Sequence, residues 1–260
     1  MAQDRLRELF RLNVLDRFRP PRPAGGSWPF RYVLGQLGVE IYAALHDEPT
    51  PPPAAVKARR RSSIGHARRE RLLGANSFFT DLAGFARTHP HQALTRWWSA
   101  DHCLRPSAFG PVSESDPPII RPSGHGIWSR RSAQGGELRH LPFFLEYDVA
   151  SEPLSQVADR VPPYTWLVAD GEPAWPVLFW LANTSREDEF RQFLASTNLS
   201  LGNTPLPVAT ASRDFATNLG LSPAEAVWHL HGHEATQLTL DQIAAELDLP
   251  NPDVPYHFNG

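Results

Sequence analysis

The stretch "FFLEYDVASEPL", residues 143–154, decides how this chain is read. Phe143, Phe144 and Leu145 run into Glu146, Tyr147 and Asp148, and Glu152 follows. On a strand, alternate side chains share a face. Glu146 and Asp148 then lie on one face with Phe144, while Phe143, Leu145 and Tyr147 take the other. Either the strand simply surfaces there, or the two carboxylates hold something positive. One candidate is Mg²⁺, a hard cation that takes oxygen ligands and can activate water and clamp a phosphodiester. The other is arginine, with Arg121, Arg139 and Arg160 as candidates.

The surrounding sequence builds a sheet around that strand. "PIIRPSGHGIWSR" (118–130) and "ELRHLPFFLEYDVA" (137–150) read as a hairpin closed by the "RRSAQGGE" turn at 130–137. Before it, 63–90 carries Ile64, Leu72, Leu73, Phe78, Phe79, Leu82 and Phe85 at helical spacing, and "ALTRWWSADHCL" (93–104) reads as a strand. After it, 151–170 reads as a helix broken at Pro162–Pro163. "WPVLFWLA" (175–182) is a continuous apolar run, the pattern of a strand buried on both faces. A helix (184–197), a strand (205–212), a short helix ending at Gly220, a strand at 226–232 and a capped helix at 239–247 complete the order. That order predicts an α/β fold with a mixed sheet flanked by helices.

The N-terminal part has a different composition. Residues 1–22 hold Arg5, Arg7, Arg11, Arg17, Arg19 and Arg22 against three acids, although the whole chain carries a net charge of −3. "AQDRLRELFRLNV" (2–14) reads as an amphipathic helix, 15–35 as a hairpin with a Pro/Gly-rich tip, and 36–47 as a closing helix. Helix followed by an Arg-bearing hairpin is the second half of a winged helix-turn-helix, in which the helix enters the major groove and the wing follows the backbone. Its earlier helices are missing, so a partial or truncated module is expected over 1–46. Arg5, Arg7, Arg11, Arg17, Arg19 and Arg31 are the candidate DNA contacts. The alternative is an amphipathic arm packed on the rest or on a second copy. "DEPTPPPAAV" opens a stiff Pro-rich linker (47–60), and the larger domain is expected over 61–250.

Lys57 is the only lysine and Cys103 the only cysteine, which excludes an intrachain disulfide and a Cys-based zinc site. No apolar run approaches the ~20 residues needed to span a bilayer, and the N-terminus lacks a signal-peptide pattern. A cytoplasmic, membrane-free protein is expected. His229, His231 and His233 alternate in "WHLHGHE", but Gly232 interrupts the strand geometry and favours a strand end with solvated histidines over a metal site. His125, between two glycines, reads as a loop residue, with a phosphate contact as the alternative. The tryptophans are spaced as core contacts, and Cys103 reads as an inert buried thiol.

Six stretches in order carry a resemblance: "LGANSFF", "RWWS", "IIRPSGHGIW", "FFLEYDVASEPLSQVADRVPPY", "WPVLFWL" and "PVATASRD". With residues 15–35 they make the chain similar, from residue 4 to about 247, to the replication-relaxation family of actinobacterial plasmids and integrated mobile elements. The resemblance implies double-stranded DNA as a partner, a role in replication or DNA relaxation, a relaxase or replication protein as a further partner, and a homodimer as one assembly. The larger domain also resembles the PD-(D/E)xK, restriction-endonuclease-like fold. There the family's Arg-Pro-Asp-Gly motif reads Arg121-Pro122-Ser123-Gly124 here, so Ser123 replaces a metal-binding Asp. Asp148 follows Glu146 at the position of the nuclease Lys. The family's later Lys corresponds to Arg160, with Glu152 in the same stretch. Arg stays protonated at any working pH, so Lys-assisted cleavage is lost. The resemblance implies a DNA-binding accessory protein with a degenerate nuclease-like domain. The alternatives are a Mg²⁺-dependent nicking enzyme using Glu146 and Asp148 as catalytic and metal-binding residues, and a non-catalytic protein-interaction module.

Overall fold

The structure, a computed structural model, describes residues 2–19, 29–45, 47–56, 66–104, 120–131, 138–169, 175–196, 200–201, 204–233 and 237–249. Arg22, the hairpin tip, Lys57 with the end of the linker, the expected domain start at Arg61, the 132–137 turn and the side chain of Trp166 lie outside the described residues. The chain divides into two compact units, Met1–Arg69 and Glu70–Gly260.

In the first unit α1 (Ala2–Arg11) leads into β1 (Leu15–Phe18), which pairs antiparallel with β2 (Arg31–Leu34), and α2 (Gln36–Leu45) closes it. The Arg17 guanidinium lies 4.3 Å from the centroid of Phe10 on α1 and 4.1 Å from that of Phe30, so a cation–π sandwich ties helix to hairpin.

The second unit, from Glu70, takes in most of α3 (His66–Ala86), whose Ala75, Phe78, Phe79 and Leu82 are buried at i, i+3, i+4 and i+7. That spacing makes one apolar stripe. The stripe lies on a six-stranded sheet of order β10-β9-β6-β5-β4-β3. Its strands are β3 (Gln92–Ser99), β4 (Gly124–Arg131), β5 (Leu138–Tyr147), β6 (Val177–Leu181), β9 (Val208–Ser212) and β10 (His229–Leu230). A separate two-stranded ribbon, β7 (Ser200–Leu201) with β8 (Thr204–Pro205), is an addition that the sequence pattern did not suggest. β3, β4 and β5 run antiparallel to their neighbours, as a meander, and β5–β6 and β6–β9 are parallel. Parallel neighbours need crossover connections. α4 (Ala100–Cys103) only extends β3; the crossovers are α5 (Leu154–Ala158) with α6 (Pro162–Ala169), then α7 (Thr184–Ala195). The proline pair expected to break a helix instead opens α6, where a missing N–H costs nothing. The last helices among the described residues are α8 (Arg213–Leu219) and α9 (Leu240–Glu246), the latter started by a capping box between Thr239 and Gln242.

Alternation along β5 sorts the core. Leu141, Phe143, Leu145 and Tyr147 join the cluster under α3 and α9, while Phe144 joins Val157, Val161 and Tyr164 from α5 and α6 on the opposite face. Close approach on the α3 face depends on absent side chains. A Cβ at Gly74 would stand 2.1 Å from the Tyr147 ring, and Cβ atoms at Gly124 and Gly126 would meet Phe79 and Phe143 at 2.6 and 2.5 Å. The glycines of "LGANSFF" and "RPSGHGIW" therefore set the helix-to-sheet distance. The histidine between the second pair is no loop residue: His125 is in β4, fully buried, with its ring stacked on Trp175 at 5.2 Å and beside Trp98 and Phe144. Burial, helped by Arg96, lowers its pKa to about 3.

Candidate functional site

The end of β5 and the helices after it gather six charged side chains. Glu146, at 2 % exposure, is held at Oε1 by the Tyr164 hydroxyl (2.6 Å) and at Oε2 by Arg160 (3.3 Å). Asp148, one residue past the strand, receives two hydrogen bonds from Arg186, Nε to Oδ2 at 2.6 Å and Nη2 to Oδ1 at 3.0 Å. The Ala150 amide donates to Oδ1 as well. Glu152 accepts from Arg71 at 2.8 Å and from Arg160, while its carbonyl accepts from Arg186 at 2.7 Å. Three carboxylates thus face three guanidiniums, and the fork geometry of arginine suits each pairing. Of the three candidate arginines, Arg160 is the one that engages these acids. Arg71 comes from α3 and Arg186 from α7, both far along the chain.

Electrostatics follow from this packing. Burial pushes the Glu146 carboxyl upward, against the pull of Arg160, Tyr164 and Arg71. Burial and the adjacent Glu146 push the Tyr164 phenol well up, so it remains a donor. Asp148 lies on the edge of a helix start: Asn183 caps α7 by accepting from the Arg186 amide, which places Arg186 in the first turn facing Asp148.

Pro122 and Ser123 are buried beside these acids. The last ladder pair joins Gly124 to Leu145. Just beyond it the Ser123 amide donates to the Leu145 carbonyl at 2.7 Å, and the Ser123 hydroxyl accepts the Tyr147 amide at 3.0 Å. Ser123, Glu146 and Asp148 therefore meet at one end of the β4–β5 hairpin. The serine oxygen is occupied in satisfying the backbone.

The arginines of the first unit differ in setting. Arg5 and Arg7 make exposed ion pairs with Glu8 (3.2 Å) and Asp4 (3.4 Å) one turn away. Arg11 is exposed, Arg17 is half-buried between its two rings, and Arg19 lies 3.9 Å over the Phe30 ring. Arg31 has a buried Nε with no hydrogen-bond partner among the described residues.

The histidines near the C-terminus do not share a face. β10 ends at Leu230, and the chain turns at Gly232 with φ +82°, leaving His231 and His233 exposed. Among the described residues no group of three His, Cys, Asp or Glu is arranged to hold a metal ion. Cys103 is buried, and burial pushes its thiol up to about 12, which keeps it protonated and unreactive. Sequence reasoning missed Arg71, Arg186 and Tyr164 as partners of the acids. It also missed Glu187, a buried carboxylate that accepts from the Thr210 hydroxyl and contacts His229 Nδ1, each at 2.9 Å.

Among the described residues no helix is long and apolar enough to cross a membrane. No curated protein and no solved structure matches the chain significantly. The family model described as replication-relaxation matches residues 1–177, which takes in the first unit, the β3–β4–β5 meander, and Glu146, Asp148, Glu152 and Arg160, and the chain belongs to that family.

Proposed function

We propose that the chain is a DNA-binding accessory protein in the replication or relaxation of a plasmid or other mobile element, with a nuclease-like larger unit that grips without cutting. The observation that carries this reading is the pairing of Glu146 with Arg160 and Tyr164 and of Asp148 with Arg186. The order α3-β3-β4-β5-helix-β6 and the closeness of Ser123 to Glu146 support a PD-(D/E)xK-like ancestry. The donors as arranged do not suit a divalent cation. Each acid is already neutralised by a guanidinium, and the Ser123 oxygen accepts a backbone proton where a hard ion prefers a carboxylate. Arg160 remains charged and cannot act as a general base.

The first unit supplies the DNA contacts in this reading. Arg5, Arg7, Arg11, Arg19 and Arg31 are the phosphate-contact candidates of a partial winged helix. Arg17 acts mainly by fixing α1 against the hairpin. Phosphate contacts release counterions, so affinity for duplex DNA is expected to fall steeply with salt. A gel-shift titration at two salt concentrations checks this, and Arg11→Ala is expected to lower the salt slope by about one. An affinity that is absent, or insensitive to salt, rejects DNA binding.

A Mg²⁺-dependent nicking enzyme is the second reading, favoured only by the meeting of Ser123, Glu146 and Asp148 at one hairpin end. It requires Arg186 to leave Asp148. Supercoiled plasmid incubated with Mg²⁺ or Mn²⁺ separates the two readings. We expect no relaxation; relaxation that disappears in Glu146→Gln would establish the nicking enzyme instead.

A further inference from the structure

Four planar side chains of the first unit pile into one column. The Arg17 guanidinium lies 4.3 Å from the Phe10 centroid and 4.1 Å from the Phe30 centroid, and the Arg19 guanidinium lies 3.9 Å from the Phe30 centroid. Two guanidiniums this close to one ring centre cannot share a face, so Phe30 is sandwiched between them. The order is Phe10, Arg17, Phe30, Arg19, with ring and cation alternating. Strand parity builds it. Arg17 and Arg19 are alternate residues and share one face of the hairpin. Tyr32 stands opposite Arg17 in the ladder, and Phe30, two residues earlier, falls on the same face with its ring 6.5 Å from that of Tyr32. At one end Phe10 belongs to α1. At the other end Arg19 is exposed, and among the described residues neither a ring nor a carboxylate is paired with its outer face.

The charge around the open end has one sign. From Arg17 to Val39 the sequence holds Arg17, Arg19, Arg22 and Arg31 and no acid. Acids of the adjoining elements are placed elsewhere. Asp16 takes the other face of β1 by alternation, Asp4 and Glu8 pair with Arg7 and Arg5 along α1, and Glu40 accepts from Gln36 on α2.

We infer that this column takes an unpaired nucleobase as its fifth layer, stacked on Arg19, so that the first unit engages DNA where a single-stranded segment interrupts the duplex. The inference rests on the DNA-binding reading and names the DNA structure within it. Alternation leaves a ring as the next member of the column, and a guanidinium plane stacks on bases as it does on aromatic side chains. Phe30 already holds the Arg19 plane, which lowers the ordering cost of binding. Bases inside a duplex cover one another's faces, so only an unpaired base can join. The in-plane N–H groups of Arg19 point outward from the column and suit a phosphate beside that base.

The test is a fluorescence anisotropy titration of the full chain with three labelled DNAs of one sequence. They are an intact duplex, the duplex with a short single-stranded gap, and the same gap built from abasic nucleotides. The abasic gap keeps the phosphates and removes only the bases. We expect the base-bearing gap to bind about tenfold more tightly than the abasic one, the scale of one stacked base. Both gaps should show the same salt slope, since their phosphates are equal. Arg19→Lys keeps the charge and removes the plane, so it should retain the salt slope and lose the preference for the base-bearing gap. Phe30→Leu should weaken the same preference by releasing the Arg19 plane, with no change in charge. Circular dichroism checks folding, and Arg19→Lys, at an exposed position, decides the case where Phe30→Leu unfolds the hairpin. Equal affinity for the two gaps in the parent protein, or a preference undiminished in Arg19→Lys, overturns the inference while duplex binding stands. Absence of binding to all three DNAs overturns the DNA-binding reading and the inference with it.

Discussion

Arginine plays two different parts in the two units. In the first, Arg5 and Arg7 sit in solvent with intrahelical partners, and Arg17 and Arg19 lie over aromatic rings. In the second, Arg160 and Arg186 are mostly buried and committed to carboxylates of the sheet. Each unit leaves some apolar residues exposed, Leu12, Leu34, Leu37, Ile41 and Leu45 in the first and Leu72, Trp97 and Phe193 among those in the second, but the second also covers both faces of its large sheet with aromatic and aliphatic side chains. Arginine is the cation of both regions, since Lys57 is the chain's only lysine. Burial decides whether that cation is available to a partner or fixed in the fold.

The sharpest way to break this comparison is to remove one arginine from each setting. Arg186→Ala strips a buried carboxylate of its bidentate partner and is expected to destabilise the protein by about 3–5 kcal/mol. Arg5→Ala removes an exposed one-turn pair and should cost no more than about 0.5 kcal/mol. Urea unfolding midpoints measure both. Similar shifts for the two variants would erase the distinction.

The next effect is a pH slope. The folded protein holds His125 neutral down to about pH 3, while the unfolded chain protonates it near its ordinary value of 6.5. The unfolded state therefore binds the extra proton, and stability rises with pH across that window. His125 contributes its full share above about pH 6.5 and loses about 1.4 kcal/mol per pH unit as the pH falls toward 3. Unfolding midpoints at several acidic pH values should show a shallower fall in His125→Leu. An unchanged slope would mean that the histidine is solvated. A smaller effect than loss of the Arg186 pair belongs to α9: Thr239→Ala removes its cap and is expected to cost about 1 kcal/mol by the same measurement.

Much of the sheet was legible because period-two alternation is a local signal. Phe143, Leu145 and Tyr147 separate from Phe144 and Glu146 by parity alone, and β6 announces itself as five consecutive apolar residues. Arg160 was within reach as a partner because it follows Glu146 by 14 positions. Arg186 and Arg71 were not, since 38 and 81 positions separate them from the acids they contact, and only the crossovers bring them back. Ser123 stands at the end of the β4–β5 ladder, and its bond to a backbone amide depends on where that ladder ends, which the sequence does not mark. Glu187 read as one acid among several in "TSREDEF"; its burial follows from facing β9 and β10, which come later in the chain.

Gly74, Gly124 and Gly126 reverse the usual scale of mutational damage. A large polar residue on the exposed side of α3 meets only water, whereas one added carbon at any of these three positions must displace an aromatic ring from a close-packed interior. Substitution tolerance along this domain should therefore track the distance to the Tyr147, Phe79 and Phe143 rings rather than the size or polarity of the incoming side chain.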